Sequence, residues 1–237
     1  MRYPAFAAFA LFFFCPAFGQ LSTAVAITDS VAAESATATF LQLIRLQKEI
    51  YNGPEHITYL PTIEGFAYFA SKNWQGGTVQ YDGITYTGEQ LLYDLVKDKL
   101  IIKRPDAFPV ELRSDKVDWF NMPGHLFVHV DATSGLRQGF YEQLASGPVV
   151  LLAKRKKEYE ERVDQVRLIQ KFTEQTTYYA IRNGQAHAIK NLHALLGLMD
   201  KRGNPVQQQL RKQGIKYKRN HEAALIAAAD FFNKTQP

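Results

Sequence analysis

Thr78-Val79-Gln80-Tyr81-Asp82-Gly83-Ile84-Thr85-Tyr86-Thr87 decides how this chain is read. Two runs of β-branched and aromatic residues flank an Asp-Gly pair. Asp-Gly accepts the positive φ values of a type I′ turn, whose twist matches that of two paired strands. The decapeptide therefore predicts a β-hairpin. On either side the same texture continues, with short runs of Val, Ile, Leu, Tyr and Phe broken by turn residues. Further strands are expected over 65–70, 91–96, 99–103, 110–113, 117–121, 125–130, 139–144 and 149–154. No helix-length segment intervenes between them, so parallel crossovers are not expected and the pairing should be antiparallel.

Downstream, Lys154-Arg155-Lys156-Lys157 runs into Glu158, Glu160 and Glu161. Such a mixed-sign stretch reads as a solvated linker, able to form a short helix with i,i+4 pairs. A second hairpin is expected from 178–181 through Asn183-Gly184 to 186–189. The tail then turns helical. Leu192, Leu195, Leu196 and Met199 mark one helix, and 206–212 a short second one. Asn220 is suited to cap a third, whose apolar stripe is Leu225, Ala228, Ala229 and Phe232.

Upstream, Arg2 precedes an unbroken apolar run from Ala5 to Phe14, and Ala17-Phe18-Gly19 supplies small residues before Gln20. This is the three-part pattern of a secretory signal peptide, with cleavage expected after Gly19. The run is shorter than the roughly 20 apolar residues a bilayer span needs, and no later stretch approaches that length. Three Phe residues precede Cys15 where a lipidation signal wants a small residue. Cys15 is the sole Cys, so the processed chain would carry no thiol, as suits an oxidising compartment. Residues 20–39 are a lead-in rich in Ala, Ser and Thr. Phe40, Leu43, Ile44, Ile50 and Tyr51 recur at near-helical spacing, predicting an amphipathic helix over 36–51 that Asn52-Gly53-Pro54 stops.

The expected organisation is a leader over 1–19, a lead-in and helix over 20–56, an antiparallel β domain over 57–157, and linker, hairpin and helices over 158–237. The fold class is α+β. A curved antiparallel sheet of roughly eight to ten strands, able to curl into a half-barrel, carries an N-terminal amphipathic helix and a small C-terminal helical unit.

The order of several motifs resembles a known family. Tyr51-Asn52-Gly53-Pro54-Glu55-His56 leads to Trp74-Gln75-Gly76-Gly77 and the hairpin. Leu92-Tyr93-Asp94-Leu95-Val96, Gly139-Phe140-Tyr141-Glu142, Leu151-Leu152-Ala153-Lys154-Arg155 and Lys218-Arg219-Asn220 follow. The series resembles uncharacterised exported proteins of the Bacteroidetes group of Gram-negative bacteria, across nearly the whole processed chain. The resemblance implies residence in the periplasm or outer envelope and brings no catalytic residues with it.

The chemistry legible in the residues is sparse. His125 and His129 are four apart on an expected strand, roughly 13 Å, too far for both to hold one zinc ion. No serine-hydrolase elbow, phosphate-binding glycine loop or dinucleotide fingerprint occurs, and no cofactor is expected. Asp94, Asp115, Asp118, Asp131 and Glu142 are available as carboxylates for glycoside hydrolysis, but no spacing singles out a pair. Aromatic rings are the better candidates. Trp74, Tyr81, Tyr86, Tyr93, Trp119 and Tyr141 can line a sheet concavity and stack on a glycan or bound apolar group. The plainer alternative is that Tyr and Trp simply favour strands.

The chain carries 28 Lys and Arg against 23 Asp and Glu, a formal charge of +5. Lys201, Arg202, Arg211, Lys212, Lys216, Lys218 and Arg219 lie in a stretch without a single acid. In an exported protein the expected partner of this patch is an envelope protein or a phosphate-bearing glycolipid rather than nucleic acid. A solvated basic face needs no partner at all. The function expected is a non-enzymatic binding or structural module of the envelope. The alternatives are a periplasmic carrier or sensor with its ligand in the sheet concavity, and a carboxylate-based glycan hydrolase.

Overall fold

The computed structural model describes Thr37, Phe40 and residues 49–132, 135–164, 167–200 and 203–235. The architecture below belongs to the unit spanning 45–237. The expected leader, the lead-in and most of the helix over 36–51 lie outside the described residues, as do Lys201 and Arg202. The last three residues of that expected helix, Glu49–Tyr51, form a 3-10 turn that buries Ile50 and Tyr51.

Ten strands form one open antiparallel sheet. They are β1 (Gln75–Tyr81), β2 (Ile84–Asp94), β3 (Lys99–Lys103), β4 (Pro109–Glu111), β5 (Val117–Met122), β6 (His125–Val130), β7 (Gly139–Ala145), β8 (Val149–Asp164), β9 (Arg167–Arg182) and β10 (Gln185–Ile189). Their order is β10-β9-β8-β7-β6-β5-β1-β2-β3-β4. Three helices follow: α1 (Leu192–Gly197), α2 (Gly203–Lys212) and α3 (His221–Lys234). No helix among the described residues is long and apolar enough to cross a membrane.

The deciding hairpin forms as its sequence predicts. Tyr81 pairs with Ile84, and Asp82 and Gly83 take φ of +52° and +74°. Both signs are those of a type I′ turn, which Gly supplies without a Cβ penalty. The second hairpin closes in the same way through Asn183 and Gly184, at +51° and +75°. Strands β3 and β6 have the bounds their sequences predict. The sheet is not a simple meander, because β5 returns to pair with β1 rather than with β4.

Two expectations are corrected. Residues 154–161 are not a linker or a helix. They lie inside β8, whose ladder with β9 runs without a break from Val149 opposite Arg182 to Asp164 opposite Arg167. Cross-strand charge pairs and backbone bonds sustain this strand where apolar alternation does not. Residues 65–70 are not a strand either. Positive φ at Gly65 (+84°) and Ala70 (+54°) interrupts the extended geometry, leaving isolated bridges from Glu64 to Lys171 and from Tyr68 to Asp94. This segment crosses from β9 to the end of β2, where Phe69 N donates to Tyr93 O and Leu95 N to Ala67 O.

Side chains alternate across the sheet with period two. On one face Tyr93, Phe120, Phe127 and Phe140 pack ring against ring, with centroids 4.8–5.8 Å apart. All four are fully buried with Val79, Leu91 and Ile102. Farther along the sheet Val149, Leu151 and Ala180 are covered by the helices. Asn220 caps α3 by accepting from Ala223 N at 3.0 Å, and the expected stripe Leu225, Ala228, Ala229 and Phe232 is buried. Asn233 fastens α3 to the β7–β8 turn: its Oδ1 accepts from Val149 N, and its Nδ2 donates to Ser146 O and Val149 O.

Candidate binding groove

The segment that crosses from β9 to β2 does not lie flat. Tyr59, Leu60, Phe66, Tyr68, Trp74 and Phe172 line a groove of about 410 Å³ beside it. Its walls are largely aromatic, the Tyr59 and Phe172 rings meeting edge to face at 5.1 Å, with His56, Thr58 and Lys72 adding polar groups. Phe66 and Trp74 pack on a small cluster of Tyr68, Leu92 and Ile101 behind the groove. Close by in the chain, Ile57 and Leu60 are 78% and 66% exposed, large for apolar side chains.

A polar relay lies against this apolar wall. His56 is buried, with Nδ1 2.9 Å from Glu111 Oε1 and Nε2 2.9 Å from the Tyr68 hydroxyl. Lys97 Nζ also donates to Glu111 Oε1, at 3.1 Å. Burial opposes the charge on Glu111, but the bonds from His56 and Lys97 outweigh it and hold the carboxyl below its ordinary range. An ionised Glu111 can only accept, so Nδ1 of His56 donates; in a neutral ring Nε2 then accepts from Tyr68. Burial first, and the charges of Asp94 and Glu111 after it, push the Tyr68 phenol up to about 12. Tyr59 is raised further, by burial and then by Asp94, to which its hydroxyl donates at 2.9 Å. Asp94 also accepts from Val96 N and Lys97 N, which closes the turn after β2.

The other buried carboxylates are equally committed to internal bonds. Glu142 accepts from Arg155 Nε at 2.7 Å and lies 2.5 Å from His125 Nδ1. Arg155 also reaches Glu222 on α3, at 2.7 Å. Burial opposes the charge of Arg155, and Glu222 and Glu142 more than restore it. Glu89 accepts from Tyr51 at 2.8 Å. His125 and His129 share one face of β6. The His125 ring meets Phe69, and the His129 ring meets Phe140. No three metal-ligating side chains converge among the described residues.

The six aromatic residues expected to form one lining are dispersed. Trp74 lies in the groove. Tyr81 and Tyr93 are buried in the interior, and Tyr86 packs partly buried against that core. Trp119, on β5, donates through Nε1 to Gln80 Oε1. Tyr141 is buried on the opposite face from Phe140, its hydroxyl donating to Arg137 O at 2.8 Å. Of the expected basic patch, Arg211 and Lys212 end α2, and Lys216, Lys218 and Arg219 lie in the link to α3. All five are exposed.

Sequence reasoning did not single out His56 or Glu111. They stand 55 positions apart, and only the bridge between Glu55 and Val110 brings them together. A His following Pro-Glu carries no local signal of such a partner. No protein-family model matches the chain, and no curated protein or solved structure shows a significant match to it.

Proposed function

We propose that this chain is an exported protein of the cell envelope that binds an apolar group and carries out no reaction. In this reading the leader over 1–19 directs export to the periplasm or outer envelope, as in the Bacteroidetes family it resembles. The curved sheet is a half-barrel scaffold. The basic face of Arg211, Lys212, Lys216, Lys218 and Arg219 meets a phosphate-bearing glycolipid or an acidic protein surface.

One observation carries the reading: the groove beside residues 56–74 is open and aromatic, while the sheet interior is packed with rings. A ligand in the sheet concavity would have to displace Tyr93, Phe120, Phe127 and Phe140, whose burial stabilises by roughly 1.5–3 kcal/mol each. The groove asks for no such displacement. Its aromatic walls suit an aliphatic or aromatic body, and Thr58 and Lys72 in the same lining offer polar contacts to orient it. The buried carboxylates Asp94, Glu142 and Glu89 are held by internal donors, which favours binding over hydrolysis.

The test is equilibrium titration of the purified chain with N-phenyl-1-naphthylamine, followed by probe fluorescence and by quenching of the two Trp residues. Saturable binding is expected. Trp74→Ala should weaken it about tenfold through lost ring contact, roughly 1–2 kcal/mol, and Trp119→Phe should leave it unchanged. A titration without saturation, or equal binding by Trp74→Ala, overturns the groove. Recovery of the chain from the envelope with residues 1–19 still attached would overturn processed export.

A further inference from the structure

The outer face of the β8–β9 ladder carries a second cleft, of about 470 Å³, richer in charged and amide side chains than the groove. By register Leu152 pairs with Tyr179, Lys154 with Thr177 and Lys156 with Gln175. Tyr141 of β7 stands on the same face. Its ring meets that of Tyr179 edge to face at 5.8 Å, and Lys154 Nζ lies 4.9 Å from its centroid. The turn after β2 and residues 137–138 close the cleft, so the side chains facing it include Arg137, Lys154 and Lys156 against one carboxylate, Asp98, while Arg155 lines it from a strand position whose guanidinium goes to the other face.

Most of these groups are already committed. Lys154 donates to Asp98 Oδ2 at 2.6 Å and to Phe140 O at 2.9 Å. Gly139, at φ +140°, makes room for this pair, since a Cβ there would run into both Asp98 and Lys154. Arg155 is held by Glu142 and Glu222. Lys156 has an exposed partner, Glu158, two residues along its own strand, a kind of pair worth little in water. Arg137 makes no ion pair with any described residue, and the half-buried Tyr179 offers a hydroxyl without a hydrogen bond among them. Gln138, Gln175 and Thr177 add two amides and a hydroxyl at the rim.

We propose that this cleft binds an acidic sugar, a pyranose bearing a carboxylate. Arg137, without an ion pair among the described residues, and Lys156, held only by an exposed neighbour, select an anion, with Arg137 as the fork for its carboxylate. The amides and the Thr177 hydroxyl match vicinal sugar hydroxyls, which both donate and accept. The Tyr179 ring supplies a flat apolar surface for the C–H face of a pyranose. A purely apolar ligand would strand these polar groups, and a simple inorganic anion would leave the ring and amides unused. The volume lies within the range of small-ligand clefts, roughly 300–1,000 Å³.

Calorimetric titration of the full chain with digalacturonate, and with neutral lactose as control, tests the proposal. Digalacturonate should bind and lactose should not, with affinity falling as salt rises. Arg137→Gln should weaken binding about tenfold, as loss of one charge-assisted bond does. Tyr179→Phe, which leaves the packing intact, should weaken it a few-fold. Trp74→Ala should leave it unchanged, which separates this cleft from the apolar groove. Flat isotherms for both sugars, equal affinity for the two, or undiminished binding by Arg137→Gln with Lys156→Gln overturns the acidic-sugar assignment.

Discussion

The near and far halves of the β8–β9 hairpin share one uninterrupted ladder and almost nothing else. In the near half Leu151, Leu152, Ala153 and Ala180 are buried at 0–1% exposure, with helices over one face and Tyr141 and Tyr179 over the other. In the far half Tyr159, Val163 and Leu168 stand 40%, 71% and 57% exposed. Charged neighbours pair there along or across the strands, Lys156 with Glu158 and Lys171 with Glu160. The difference teaches that a strand's existence and its burial are separate questions. Backbone hydrogen bonds carry β8 beyond the core, with Glu64 and Tyr59 docking on β9 at Lys171 and Phe172, while apolar burial anchors the near half.

Leu151→Ala should sharpen the contrast most. It removes a fully buried side chain facing the helices and should cost about 2–5 kcal/mol, read as a lower midpoint in urea unfolding. A cost below about 1 kcal/mol would mean the near half is not the anchor.

Lys157 marks the boundary between the halves. Its ammonium is buried, donates to Phe66 O and Tyr68 O at 3.1 and 2.8 Å, and lies 3.6 Å from Glu174. Burial lowers its pKa, and Glu174 only partly offsets this. A base lowered in the folded state binds fewer protons there than in the unfolded chain. Stability should therefore rise with pH as it passes through the lowered value toward the ordinary Lys value of about 10.4. Lys157→Met should remove that rise. At neutral pH it should also cost about 1–3 kcal/mol, because two carbonyls lose their donor. Unfolding measured from pH 7 to 10 checks both, and an unchanged slope in the variant would sink the assignment.

The smallest effect belongs to the far half. Val163→Thr should change stability by no more than about 0.5 kcal/mol, since the side chain touches little and Thr suits a strand. A larger loss would show that the tip of the hairpin around Val163 is packed rather than solvated.

These halves also mark where sequence reading ran out. The β8 strand was legible to residue 154, where apolar residues end and Arg and Lys begin. Beyond it charge alternation looked like a solvated linker, because the pairing partner lies across the hairpin and not in the neighbouring residues. The β1–β2 hairpin, the bounds of β3 and β6 and the Asn220 cap were all readable, since each depends on residues within one turn or one strand. The groove was not. Tyr68 and Trp74 stood among many aromatics, and His56 acquired meaning only when Glu111 came within 2.9 Å. The cleft gave no warning either, because the parity that puts Tyr141 on one face and Glu142 on the other assigns no ligand until β8 and β9 are placed beside them.

By itself, then, the amino-acid order determined turns, strand-forming runs and capped helices, since φ preference, side-chain period and cap chemistry act over a few residues. Tertiary structure alone decided which face of the sheet is filled with rings, that β5 lies beside β1, and which polar groups meet at the groove and the cleft. Those outcomes depend on contacts between residues tens of positions apart. Such contacts form only when the long-range pairing of strands offsets the entropy of closing the loops between them.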